Sequence, residues 1–147
     1  MKHLQHRAES DHDRGSISLE LVIIAPAFLL IVAALIFAGR VELAKQSVNA
    51  AASDAARTAS IARTQDTANG TARSAATSTL ASQGIRCVST TVSVDTSGFG
   101  APVGTPATVT ATVSCTVNLS DLSAPGIPGT KLVSATATSP LDTFRER

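Results

Sequence analysis

Residues 15–61 read GSISLELVIIAPAFLLIVAALIFAGRVELAKQSVNAAASDAARTASI, and the fold turns on how this stretch changes along its length. From Leu21 to Gly39 it carries 19 residues without a charge. At about 1.5 Å per helical residue that run covers roughly 30 Å, the thickness of a bilayer's hydrocarbon core. A buried core helix is the soluble alternative, but it would need large apolar surfaces around it. The chain is poor in these: 25 Ala, 17 Ser and 18 Thr make up 60 of its 147 residues, with no Trp, no Tyr and four Phe. A membrane span is the reading that remains. A cleaved secretory signal is the other rival, with an apolar region of about 7–15 residues and an A-x-A-like end. The run here is longer, and Ile36-Phe37-Ala38 is a poor cleavage site.

Beyond Arg40 the helical pattern continues. Val41, Ala44, Val48, Ala51, Ala55, Ala59 and Ala62 recur at steps of three and four, one face of a helix, with Asp54, Arg57 and Arg63 off the stripe. No Pro or Gly interrupts residues 41–62. The spacing predicts one helix from about 17 to 62, its first half in lipid and its second in water. Thr67–Gln83 is a second Ala-rich candidate, and Gly84 suits its C-terminal cap.

The last third changes period. Val88, Thr90, Val92 and Val94 alternate with polar residues, as do Ala107 to Leu119 and Val133 to Ala137. Gly/Pro/Ser-rich turns at 95–106 and 120–130 separate three half-buried strands. No crossover helix fits between them, so the order is antiparallel. The expected class is α+β: a long N-terminal helix continuing from membrane into water, a second Ala-rich helix and a small three-stranded antiparallel sheet. Residues 1–14 carry three basic and three acidic residues without apolar periodicity and read as a disordered leader. The tail Arg145-Glu146-Arg147 reads as a solvated end.

Charge and residue types narrow the function. A net charge of +1 with scattered basic residues excludes the clustered basic face of a nucleic-acid binder. His3, His6 and His12 all lie in the leader, and there is no CxxC, HExxH or P-loop. We therefore assign no catalytic residue, no metal site and no cofactor. Asp54, Asp66, Asp95, Asp121 and Asp142 are scattered and read as surface groups. Cys87 and Cys115 open and close the first two strands. Their separation lets an antiparallel pair bring them together, and outside the cytoplasm a disulfide is the default. Two unpaired small core residues are the alternative. One misfit stands: Cys115 is on the apolar phase of its strand, whereas Cys87 is out of phase with Val88, Val92 and Val94.

The junction Arg14-Gly15-Ser16-Ile17-Ser18-Leu19-Glu20-Leu21 sets a Gly before an apolar run and a Glu five residues after it. It resembles the class III signal of type IV pilins and pseudopilins. With Pro26 inside the run, Gly39-Arg40 at its exit and the Asn49 to Arg57 segment beyond, residues 15–61 resemble the TadE-like family of the Flp (tight adherence) pilus system. The resemblance implies that a prepilin peptidase cuts between Gly15 and Ser16, and that Glu20 is the family's assembly glutamate. It also implies a cleaved leader at 1–15, a membrane helix at 16–39 that includes Leu21, Pro26, Phe28, Phe37 and Gly39, a helical extracytoplasmic region at 40–84, and a sheet region at 85–147. The partners it implies are the peptidase, a major Flp-type pilin, other TadE- or TadF-like pseudopilins, the inner-membrane assembly platform and membrane lipid. The chain would be a single-pass protein of a bacterial cell membrane, N-terminus in the cytoplasm, residing there or in the pilus. Orientation follows from the resemblance, because Glu9, Asp11 and Asp13 balance the leader's basic residues. The competing reading is an unprocessed membrane-anchored binding module.

Overall fold

A computed structural model describes residues 12–122 and 129–144, with side chains from 21 to 120 and from 129 to 144. The leader up to residue 11 and the tail from 145 lie outside the described residues. The chain is α+β: helix α1 (His12–Ser60), helix α2 (Gln65–Ser82), strand β1 (Cys87–Asp95), a 3-10 turn (Ser97–Gly100), strand β2 (Thr108–Asn118), a short helix α3 (Leu119–Leu122) and strand β3 (Thr130–Pro140). Two compact units divide between Ala38 and Gly39.

In the first unit α1 runs through Pro26 unbroken. The helix begins earlier than its apolar run predicts, because His12–Arg14 hold helical backbone where a disordered leader was expected. The side chains from Leu21 to Ile31 are all exposed, the large ones by 54–72%. Among the described residues nothing shields them, which disfavours the core-helix alternative for this segment.

The second unit is a two-layer sandwich. The sheet has the order β1-β2-β3 with both pairings antiparallel. Its inner face presents Val109, Ala111, Val113, Cys115 and Val117 from β2, each at 3% exposure or less. The second half of α1 and helix α2 lie against that face. Three hydrogen bonds fix α1 there: Thr79 Oγ1 donates to Asp54 Oδ2 at 2.7 Å, Ser47 Oγ to Gln83 Oε1 at 3.3 Å, and Ser139 Oγ to Ser60 Oγ at 3.0 Å. The predicted stripe is largely buried at Ala44, Val48, Ala51, Ala55 and Ala59, and a second stripe lies beside it at Ser47, Ala52, Ala56 and Ser60. One stripe alone would cover one neighbour. Two adjacent stripes let α1 meet both a helix and a sheet, and their small side chains permit close backbone approach.

Helix α2 shows how local chemistry sets the boundaries. Thr64 caps its start, accepting from the Thr67 amide at 3.1 Å. Its end is a Schellman motif: Gly84 has φ +71°, its amide donates to Ala81, and the Ile85 amide donates to Leu80, each at 3.0 Å. The inner face of α2 buries Ala68, Ala72, Ala76 and Leu80.

The sheet's outer face is a hydroxyl ladder. Thr110 pairs with Thr138 at 3.1 Å, Thr112 with Thr136 at 2.9 Å, Ser114 with Ser134 at 2.9 Å and Ser89 with Thr116 at 3.1 Å. At the end of the sheet the 3-10 turn comes over the start of β2 and buries Phe99, 8% exposed, and Leu141 just past β3 is buried too. Gly98 makes this approach possible. A Cβ there would run into the Thr108 carbonyl oxygen.

Candidate membrane and assembly site

The features that carry chemistry in the sequence sit on α1 and on the strand pair. Gly15, Ser16 and Glu20 lie on the helical backbone of α1, ahead of Leu21. Their side chains are outside the described residues. Leu21 is 67% exposed and Phe28 62%, while Phe37 is half-buried. A Cβ on Gly39 would meet nothing within 4 Å, so its small size serves no packing inside the chain. Among the described elements, α1 alone is long and apolar enough to cross a membrane. Pro26 removes an amide donor and leaves the Val22 carbonyl without its usual partner. Membrane helices accommodate this where neighbouring helices or water satisfy the freed group.

Cys87 and Cys115 are joined by a disulfide with Cα atoms 5.4 Å apart. A bulge resolves the phase misfit. Cys87 stands opposite Val117 and Ser89 opposite Thr116, so Val88 is an extra residue in β1. One inserted residue flips the face of everything before it relative to everything after it. Cys87 therefore shares the inner face with Val92 and Val94. Val88, expected on that face, is instead 65% exposed. Period-2 reading could not see this, because a bulge leaves both flanking alternations intact and only shifts one against the other.

The acidic residues do not converge. No group of three or more His, Cys, Asp or Glu side chains that could hold a metal is present among the described residues. Asp54 binds Thr79 as above. Asp95 Oδ1 accepts from the Ser97 amide and Asp142 Oδ1 from the Phe144 amide, both at 2.9 Å, which makes each a turn anchor. The Asp95 carboxyl is held below its ordinary range, first by that backbone amide and then by the Ser97 hydroxyl. Asp121 lies on α3.

Sequence reading also missed six exposed large apolar side chains among the described residues of the second unit: Leu43, Ile61, Val88, Val103, Leu132 and Phe144. Leu132 lay inside a turn-to-strand boundary, and Leu43 stood off the Ala stripe, so neither pattern flagged them.

No characterised protein and no solved structure matches the chain. The family model for TadE-like proteins matches residues 15–57, from Gly15 through the apolar run and into the Ala-rich half of α1. Over those residues the chain is similar to TadE-like proteins; among the described residues it has one apolar helix suited to a membrane, and a disulfide-closed sheet follows beyond the match.

Proposed function

We propose that the chain is a minor pilin or pseudopilin that takes part in assembly of a Flp/Tad-type pilus, and that a prepilin peptidase cuts it after Gly15. The observation that carries this reading is the TadE-like match, which begins at Gly15 itself. Cleavage there would free an α-amino group on Ser16. Glu20 lies four residues on, about 6 Å along the helix. The Glu of one subunit would then neutralise the new N-terminus of its neighbour when both enter an apolar helix bundle. A carboxylate at the bilayer centre costs about 2.5–3.5 kcal/mol on insertion scales, so such a pairing favours one stagger over others. In the isolated subunit Glu20 would stay near the headgroups.

The large exposed side chains from Leu21 to Ile36 suit this work, offering helix-packing surface to lipid first and to other subunits afterwards. The disulfide suits an oxidising compartment and therefore an extracytoplasmic second unit. The partners would be the prepilin peptidase, a major Flp-type pilin, other TadE- or TadF-like pseudopilins and the inner-membrane platform.

The alternative, an unprocessed anchored binding module, draws on an open depression of about 540 Å³ beside Ser60, Arg63, Pro140 and Asp142. Ile61 and Phe144, each 79% exposed, flank it.

Intact mass from cells with and without the prepilin peptidase separates the readings. Loss of residues 1–15 only when the enzyme is present supports processing. An uncut chain in both strains leaves the binding module. A cut near Ala38 means that the apolar run is a secretory signal.

A further inference from the structure

The second unit has two distinct ends. The chain enters it at Gly39, and at that end lie the start of β1, the end of β2 and the start of β3. Two rows of strand partners mark it: Cys87, Val117 and Lys131, then Ser89, Thr116 and Leu132. The Ser47–Gln83 hydrogen bond ties α1 to the same level, with Leu43 one turn nearer the entry. Arg40, Lys45, Arg86 and Lys131 belong to the segments at this end, as do Glu42 and Asp121. Lys45 and Glu42 pair with each other at 2.6 Å. At the opposite end Asp66, Asp95 and Asp142 stand with Arg57 and Arg63.

Exposed apolar side chains occur at both ends, with Leu43, Val88 and Leu132 here and Ile61, Val103 and Phe144 at the other. The outer sheet face is almost entirely Ser and Thr, yet Val88 and Leu132 stand exposed at its basic end. The bulge is what turns Val88 outward. Exposed aliphatic side chains flanked by cations are the composition of a surface that sits in the headgroup layer. The aliphatics enter the acyl boundary, and Arg and Lys reach the phosphates.

We propose that this end of the second unit, through Val88, Leu132, Arg86 and Lys131, docks on the headgroups of an anionic bilayer. The proposal rests on the reading of residues 21–38 as a membrane span. Chain continuity supplies the proximity, since Gly39 directly follows the apolar run. Charge complementarity supplies the preference for anionic lipid, at about five-fold in docking equilibrium for each cation near the surface. Docking would restrain the unit on the membrane before assembly and would have to be released when the subunit leaves lipid.

The test uses the full chain at one copy per nanodisc, in phosphatidylcholine alone and in phosphatidylcholine with one quarter phosphatidylglycerol. Amide exchange is read at residues 85–90 and 129–134. The expected result is slower exchange with phosphatidylglycerol, abolished by 0.5 M salt, by Arg86→Glu with Lys131→Glu, and by Val88→Ser with Leu132→Ser. Unchanged exchange at 109–117 shows that the variants keep their sheet. Arg86→Gln with Lys131→Gln should weaken docking by about 25-fold without reversing charge. Equal exchange in anionic discs, neutral discs and micelles overturns the proposal. So does protection that appears only with two copies per disc, which would assign the surface to a second chain. A chain that fails to co-purify with discs at all refutes the membrane span instead, and that outcome is separate from these.

Discussion

Leu29 and Ala55 belong to one helix and have opposite surroundings. Leu29 is 65% exposed among large apolar neighbours, and Ala55 is fully buried. Hydrophobicity alone would send the larger residue inside. What decides is the solvent each half is built for. A helix in lipid keeps large apolar groups on all sides, whereas a helix wedged between another helix and a sheet needs side chains small enough for close contact. The two halves of α1 therefore teach that burial within the chain follows size here, with apolar bulk left for an outside partner.

The largest expected effect tests how much the thin Ala/Val core needs a staple. Cys87→Ser, or Cys115→Ser, opens a loop of 28 positions, which costs about 3.5 kcal/mol in the chain-entropy model. Thermal unfolding of the full chain in detergent micelles should lose the sheet signal well before the signal of the apolar helix. If the sheet's midpoint stays within a degree or two, the small-residue core is self-sufficient and the contrast between the halves is weaker than argued.

The next pair of variants addresses size directly. Ala55→Leu overpacks the gap that α1 occupies and should cost about 1–3 kcal/mol. At about 4 °C per kcal/mol that is a fall of roughly 4–12 °C in the sheet's midpoint. Leu29→Ala should leave that midpoint unchanged, because Leu29 is an exposed residue of the first unit. Equal effects from both would break the comparison.

Glycines sharpen the same contrast. Gly98→Ala drives a Cβ into the Thr108 backbone and displaces the turn that seats Phe99, at about 1–3 kcal/mol. Gly39→Ala meets open space in an exposed helical position and should be neutral or stabilising by up to about 1 kcal/mol. If Gly39→Ala leaves the melting curve intact yet impairs pilus assembly in cells, its small size serves contact with other subunits.

The legible parts of this molecule are those set by local periodicity. The charge-free run, the Ala stripe, the cap at Gly84 and the three alternating strands all appear in the structure with boundaries moved by a few residues. The parts that were not legible depend on neighbours far away in sequence. The second buried stripe at Ser47, Ala52, Ala56 and Ser60 exists because α1 has two partners. Two serines in a buried stripe look like breaks until Gln83 and Ser139 arrive to satisfy them. The outward turn of Val88 comes from a register shift against β2, which no single strand encodes. Phe99 lies in a segment read as a turn, and it is buried where Gly98 lets the chain pass over Thr108. Of the candidate site, the apolar helix was plain, and the cysteine pair was readable except for its phase.

The smallest predicted effect concerns pH, and it separates the halves most cleanly. Between Leu21 and Gly39 there is no titratable side chain, so acid should leave that part of α1 unchanged. In the second unit the Ser97 amide holds the Asp95 carboxyl below its ordinary value. A depressed folded-state value means that the unfolded chain takes up the proton first as pH falls. The contribution is therefore fully present above the ordinary carboxylate range, near 4, and is lost as pH drops through the folded value. Because Asp95 is exposed, solvent screens the effect and it stays local. The Ser97 amide resonance should shift along a titration whose midpoint lies below that of an ordinary aspartate, and amides 97–101 should exchange faster at the acid end. Asp95→Asn keeps an acceptor for the turn and should remove the pH dependence while leaving the neutral-pH structure in place. A midpoint at or above the ordinary value would mean that the Asp95–Ser97 bond does not persist in solution. The seating of Phe99 would then rest on Gly98 and its close approach to Thr108 alone.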